Sequence, residues 1–171
     1  MPELVAQRRR PQDRGNPGAG KSTLNRLELT AADRLLTELY IQSQPRQPKR
    51  IVLDLDATDD PLHGNQEGRF SHGYYGHYGY LPLYIFAGDQ LLCARLRPAN
   101  IDAAAGALEE VRRIVEQLQR VWRDVEIVLR ADGGFCRDEM LSWCEENGVD
   151  YVIGLPQNGR LQRLIKRRMK L

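Results

Sequence analysis

The chain is short of several features that would assign it quickly. It has no apolar run near the roughly eighteen residues a membrane span needs. Behind its basic start there is no apolar segment, so no secretory signal is read there. Cysteine is scarce and odd in number, at Cys93, Cys136 and Cys144, with no C-x-x-C pair. This excludes a disulfide framework and the common zinc modules, and fits buried thiols in a reduced, cytosolic protein. Charge of one sign is not in excess: the net is only +2 over 171 residues. No acidic residue follows Asp150, and no internal repeat is present.

What is present is unevenly placed. Cations gather at both ends, as Arg8, Arg9, Arg10 and Arg14, and as Arg160, Arg163, Lys166, Arg167, Arg168 and Lys170. Local patches matter more than the sum for phosphate contact, although each cluster also reads as a solvated basic tail. The length suits one domain with a core of its own. Residues 1–21, rich in Arg, Pro and Gly without apolar period, read as a disordered basic segment. Residues 22–50 read as a helical N-terminal segment and linker, with Thr30 as an N-cap and Pro45 and Pro48 closing the helix.

Residues 51–171 read as the main domain. Strands are expected at 51–57, 80–87, 91–96, 125–129 and 151–155, and helices at 103–121, 138–146 and 160–170. Gly88-Asp89 signals a tight hairpin, and the stretch 59–79, dense in Gly, His and Tyr, reads as a loop. The order β-β-β-α-β-α-β-α predicts an α/β fold, a mixed sheet flanked by helices. Its first three strands form an antiparallel meander and the later ones arrive through crossovers.

Gly15-Asn16-Pro17-Gly18-Ala19-Gly20-Lys21-Ser22 fits the P-loop pattern letter for letter. A P-loop needs a buried strand directly before its first glycine. The preceding residues are polar, Arg-rich and interrupted by Pro11, so the nucleotide-binding reading is set aside. His72 to Tyr80 is aromatic and glycine-rich. It reads either as a hairpin with cross-strand aromatic pairs or as a stacking surface for bases. The three histidines, His63, His72 and His77, lack helical metal spacing.

Two segments carry the chemistry. Ile51-Val52-Leu53-Asp54-Leu55-Asp56 and Val128-Leu129-Arg130-Ala131-Asp132 are apolar, β-branched runs that each deliver an aspartate at the end. If the two strands adjoin, Asp56 and Asp132 become neighbours. Paired carboxylates on rigid strand ends suit a hard divalent cation such as Mg²⁺, and hence phosphoryl transfer. Alternation puts Asp54 on the Asp56 face one pleat deeper, and Thr58 within reach of the Asp56 carboxylate. Aspartates after strands also serve as turn formers and helix caps.

The strings Leu-Asp-Leu-Asp-Ala-Thr-Asp-Asp-Pro-Leu-His-Gly (53–64), His-Gly-Tyr-Tyr-Gly-His-Tyr-Gly-Tyr-Leu-Pro-Leu (72–83), Leu-Arg-Pro-Ala-Asn-Ile-Asp-Ala (96–103) and Leu-Arg-Ala-Asp-Gly-Gly-Phe (129–135) occur in this order. With Ser-Thr-Leu-Asn-Arg-Leu-Glu-Leu (22–29), they make the chain resemble bacterial DDE-type insertion-sequence transposases, specifically insertion-sequence family thirteen-eighty. The resemblance implies an RNase H-like catalytic core, cut-and-paste DNA transposition and a two-metal Mg²⁺ site held by an acidic triad. Asp56 matches the first acid and Asp132 the second. It also implies double-stranded DNA as partner, at transposon ends and target, and a homodimer, with no membrane and no nucleotide.

Two departures follow. The family's third acid, a glutamate on a late helix, is expected past this chain's end, and a DNA-binding region is expected before its start. The chain is therefore expected to be a fragment of a decayed or truncated gene, unable to transpose DNA alone. The alternatives are a non-catalytic DNA-binding or dimerising remnant and, less favoured, a P-loop NTPase.

Overall fold

A computed structural model describes residues 29–62, 70–71, 78–156 and 158–168. The P-loop-like string, the Arg-rich start, the three histidines and the chain's last residues lie outside the described residues. The elements are α1 (Leu29–Ser43), β1 (Arg50–Ala57), β2 (Asp60–Pro61), β3 (Phe70–Ser71), β4 (Tyr78–Tyr80), β5 (Leu83–Ala87) and β6 (Gln90–Arg95). After these come α2 (Ala107–Val121), β7 (Glu126–Ala131), a 3₁₀ turn (Gly133–Phe135), α3 (Asp138–Glu146), β8 (Asp150–Ile153) and α4 (Gly159–Arg168).

The main sheet has the strand order β6-β5-β1-β7-β8. β1, β5 and β6 form an antiparallel meander, and β7 and β8 add in parallel to β1 through α2 and α3. Along the main sheet the elements run β-β-β-α-β-α-β-α, as expected from the sequence. The β5–β6 turn is two residues long, and Gly88 takes its positive φ of 59°, which a side chain would resist.

Alternation along β1 decides which face becomes core. Ile51, Leu53 and Leu55 are buried. They form one cluster with Leu83, Ile85, Ile127 and Leu129 of the neighbouring strands and with residues of α1, α2 and α3. Val52, Asp54 and Asp56 point the other way, half-buried or exposed. All three cysteines are free: Cys93 and Cys144 are buried, Cys136 half-buried. Burial pushes the Cys144 thiol up to about 11, which leaves it protonated and unreactive at neutral pH. Among the described residues, no helix is long and apolar enough to cross a membrane.

The structure corrects several local expectations. The stretch 59–79 is not simply a loop: β2, β4 and β3 form a small second sheet in that order. Residues 80–87 are not one strand, because Leu81 and Pro82 separate β4 from β5, and Pro82 has no N–H for a ladder. Thr30, expected before the first helical residue, falls within the α1 range, which already includes Leu29. On α1 the buried positions include Thr37 and Tyr40, while Leu35 and Leu39 are exposed. α2 begins at Ala107 rather than 103 and buries Glu110 along with Ala107, Val111, Ile114, Val115 and Leu118, while Val121 is exposed.

The burial of Glu110 has a clear cause. Its two oxygens take Arg95 from β6 and Arg113 one turn along α2, the latter at 2.9 Å. Arg113 also donates to Gln117 at 2.8 Å and to the Thr37 hydroxyl at 3.4 Å. One carboxylate thus ties β6, α2 and α1 together. Removing one partner of a buried ion pair strands the other charge, so Glu110→Ala is expected to cost about 3–5 kcal/mol in urea unfolding. Glu126→Gln, which breaks the exposed pair with Arg50, is expected to cost under about 1 kcal/mol.

Candidate metal centre at the strand tips

The parallel register of β1 on β7 sets Leu53 opposite Leu129, Asp54 opposite Arg130 and Leu55 opposite Ala131. That register ends with the Leu55–Ala131 pair, and the next residues at the carboxyl ends are Asp56, still within β1, and Asp132, just past the end of β7. Asp132 keeps an extended backbone, φ −79° and ψ −178°, so strand alternation continues through it. Asp54 and Arg130 mark the shared face below: Arg130 grips the Asp54 carboxylate with two nitrogens, one of them at 2.8 Å. The Asp54 charge raises the Arg130 guanidinium above its ordinary range, through the hydrogen bond first and the Coulombic attraction second.

Each tip carboxylate is held by one short local bond. The Thr58 hydroxyl donates to Asp56 Oδ2 at 2.6 Å. The Gly134 amide donates to Asp132 Oδ1 at 2.8 Å, making Asp132 the cap of the 3₁₀ turn. The second oxygen of each carboxylate takes no hydrogen bond among the described residues, and both side chains are exposed or half-exposed. Asp54 differs in having both oxygens committed to Arg130. Two strand-end carboxylates with one unengaged oxygen apiece are a suitable donor set for a hard divalent cation. Among the described residues, no group of three or more Asp, Glu, His or Cys side chains forms.

The Asp132 turn is anchored on three sides. Phe135, 1% exposed, plugs the core below it. On one flank, Arg137 pairs with Asp102 at 2.6 Å, tying the turn to the loop before α2. That loop is itself clamped by buried Arg97, which donates to the carbonyls of Leu81, Ala103 and Ala105. On the other flank, the backbone after β8 crosses closely: a Cβ on Gly133 would lie 3.2 Å from Pro156 N, and one on Gly154 would lie 3.0 Å from Gly133 N.

The sequence alone did not single out Arg130, Asp102, Arg137 or Arg97. Asp54 and Arg130 occupy the two positions that parallel pairing makes adjacent, so only the register reveals them.

A family model described as transposase DDE domain group 1 matches residues 3–170. The chain belongs to this family. No curated protein matches it. Among solved structures, this DDE domain is similar to the catalytic domain of Mos1 mariner transposase, with TM-score 0.44 and 10% identity over 85% of this chain and 65% of that one. It is also similar to piggyBac transposase in a synaptic complex with hairpin DNA, with TM-score 0.44 and 15% identity over 82% of this chain and 30% of that one. A third is the Mos1 mariner paired-end complex with Mn, with TM-score 0.39 and 10% identity over 91% and 49%. The DDE domain thus spans less than two thirds of each of these chains.

The anchoring of the Asp132 turn can be tested from two sides. Phe135→Ala is expected to cost about 3–5 kcal/mol in urea unfolding, because it empties the core under the turn. The Arg137 hydrogen bond, aided by the Ala104 amide, holds the Asp102 carboxyl below its ordinary range. A depressed carboxyl stabilises the fold above the ordinary carboxylate range, and this contribution is lost as pH falls through the depressed value. Asp102→Asn is therefore expected to flatten the acid limb of unfolding midpoints measured between about pH 3 and pH 7, mainly below about pH 4.

Proposed function

We propose that this domain performs the metal-dependent phosphoryl-transfer chemistry of insertion-sequence DNA transposition, with Asp56 and Asp132 as the divalent-cation ligands. The observation that supports the reading is the β1–β7 register, whose last pair, Leu55 with Ala131, immediately precedes Asp56 on one strand and Asp132 on the other. Mg²⁺ is the cation the oxygen donors suit best. Bound there, it supplies activation of a water or 3′-hydroxyl for in-line attack on a phosphodiester and charge neutralisation at the leaving oxygen.

The residues themselves provide position and charge. Asp56 and Asp132 present negative oxygens at fixed backbone points. Thr58 and the Gly134 amide restrain their rotation, so little ordering remains for a ligand to impose. The Asp54–Arg130 pair below neutralises the next carboxylate along the face and keeps it from competing as a ligand.

DNA is the substrate proposed, at the element's ends and target, with a second copy of the protein joining the two ends. The reading is of an insertion-sequence element of family thirteen-eighty type. Two acids, without a third among the described residues, make a site that binds its cation but leaves it under-coordinated. The chain alone is accordingly expected to give no strand transfer with terminal-repeat DNA and Mg²⁺.

The experiment is Mn²⁺ titration of the purified chain, read by calorimetry. Saturable binding at neutral pH that disappears in Asp56→Asn/Asp132→Asn and persists in Asp54→Asn is expected. Binding unchanged in the double variant contradicts the reading.

A further inference from the structure

We infer that the cationic face of α4 is a docking surface for the phosphate backbone of duplex DNA, seated next to the acidic strand tips. The inference rests on the DNA reading above and names a second contact for the same substrate.

The charge distribution of α4 is not what helix stability asks for. α2 and α3 follow the dipole rule, with Glu109 and Glu110, and Asp138 and Glu139, in their first turns. α4 reverses it: its first turn holds no acid, and Arg160 sits where the positive helix end disfavours a cation. Arg160, Arg163 and Lys166 are exposed, and Arg163 donates to the Gly159 carbonyl at 3.0 Å. None of the three has an acidic partner among the described residues. Their i, i+3 spacing gathers them on one stripe. From Arg160 to Lys166 the helix advances about 9 Å, enough to meet two or three phosphates at a rise of about 3.4 Å per strand.

The start of this helix is placed by the fold. Gly154 N donates to Ala131 O at 3.0 Å, and the close Gly133–Gly154 crossing seats residues 154–156 on the Asp132 turn. Asn158 then caps α4, its Oδ1 accepting from Leu161 N at 2.8 Å. The basic stripe therefore sets out from the strand end that carries Asp132. A cation-lined helix that follows a segment packed on the Asp132 turn matches a polyanion whose one phosphate sits at the proposed metal site and whose neighbours need cover. The same helix exposes Leu164 and Ile165, 56% and 53%, so a protein surface is the competing occupant.

The test is fluorescence anisotropy of a labelled duplex with the full chain in EDTA, across a salt series. Arg160→Ala/Arg163→Ala/Lys166→Ala is expected to weaken binding at least about tenfold. It is also expected to reduce the slope of log K against log salt by about 2–3, near 0.9 for each phosphate left without its cation. Arg160→Lys/Arg163→Lys is expected to restore affinity, because a point charge suffices for a phosphate. An unchanged slope in the triple-alanine variant overturns the inference. So does Leu164→Ala/Ile165→Ala weakening DNA binding equally, or dissociating a dimer while the charge variant leaves DNA binding intact. Mn²⁺ titration of the same preparations separates the two readings. Weakened DNA binding with Mn²⁺ binding retained supports the helix contact. Weakened DNA binding where even the unaltered chain binds no Mn²⁺ supports it too, and in that case only the metal reading falls.

Discussion

Parallel pairing of β1 with β7 is the constraint on which the molecule's chemistry depends. The pairing has a single register, fixed because a one-residue slip would turn Ile127 and Leu129 out of the core and Arg130 into it. That register does two things at once. It packs Leu53 against Leu129 on the closed face, and on the open one it pairs Asp54 with Arg130, two residues before Asp56 on one strand and Asp132 on the other. The hydrophobic effect and the positions of the two strand-end aspartates are therefore one structural decision, because the burial of the aliphatic side chains sets the register on which the proposed metal site depends.

Two polar devices keep that arrangement rigid from a distance. Glu110 draws β6, α2 and α1 onto the sheet with a buried carboxylate whose partners come from two of these elements. Arg97, buried with three carbonyl acceptors, fixes the loop that Asp102 uses to reach Arg137 behind the Asp132 turn. Neither touches the acids. Both decide where the backbone beneath them stops, and a displacement of this backbone by about an ångström is enough to spoil a metal site.

Much of the main sheet was legible in the sequence, since period-two alternation in 51–56, the hairpin at Gly88-Asp89 and the helical spacing of Val111, Ile114, Val115 and Leu118 each have a local cause. The small second sheet was not. Its strands are two or three residues long, too short for a pattern, and exist through pairing alone. Glu110 was invisible for a similar reason: a glutamate between apolar helix positions reads as surface until Arg95 and Arg113 are seen to meet it. In the site, Asp56, Asp132 and the Thr58 hydroxyl stood out because each follows from its own short segment. Arg130 and Arg137 did not, because their roles arise only when distant segments are brought into register.

The most direct measurement is a crystal structure of the chain soaked in Mn²⁺, read by its anomalous difference density. A peak is expected at the β1 and β7 tips within coordinating distance of both Asp56 and Asp132. A peak held by only one of the two aspartates, or the two carboxylates turned apart with the metal bound elsewhere, would contradict it.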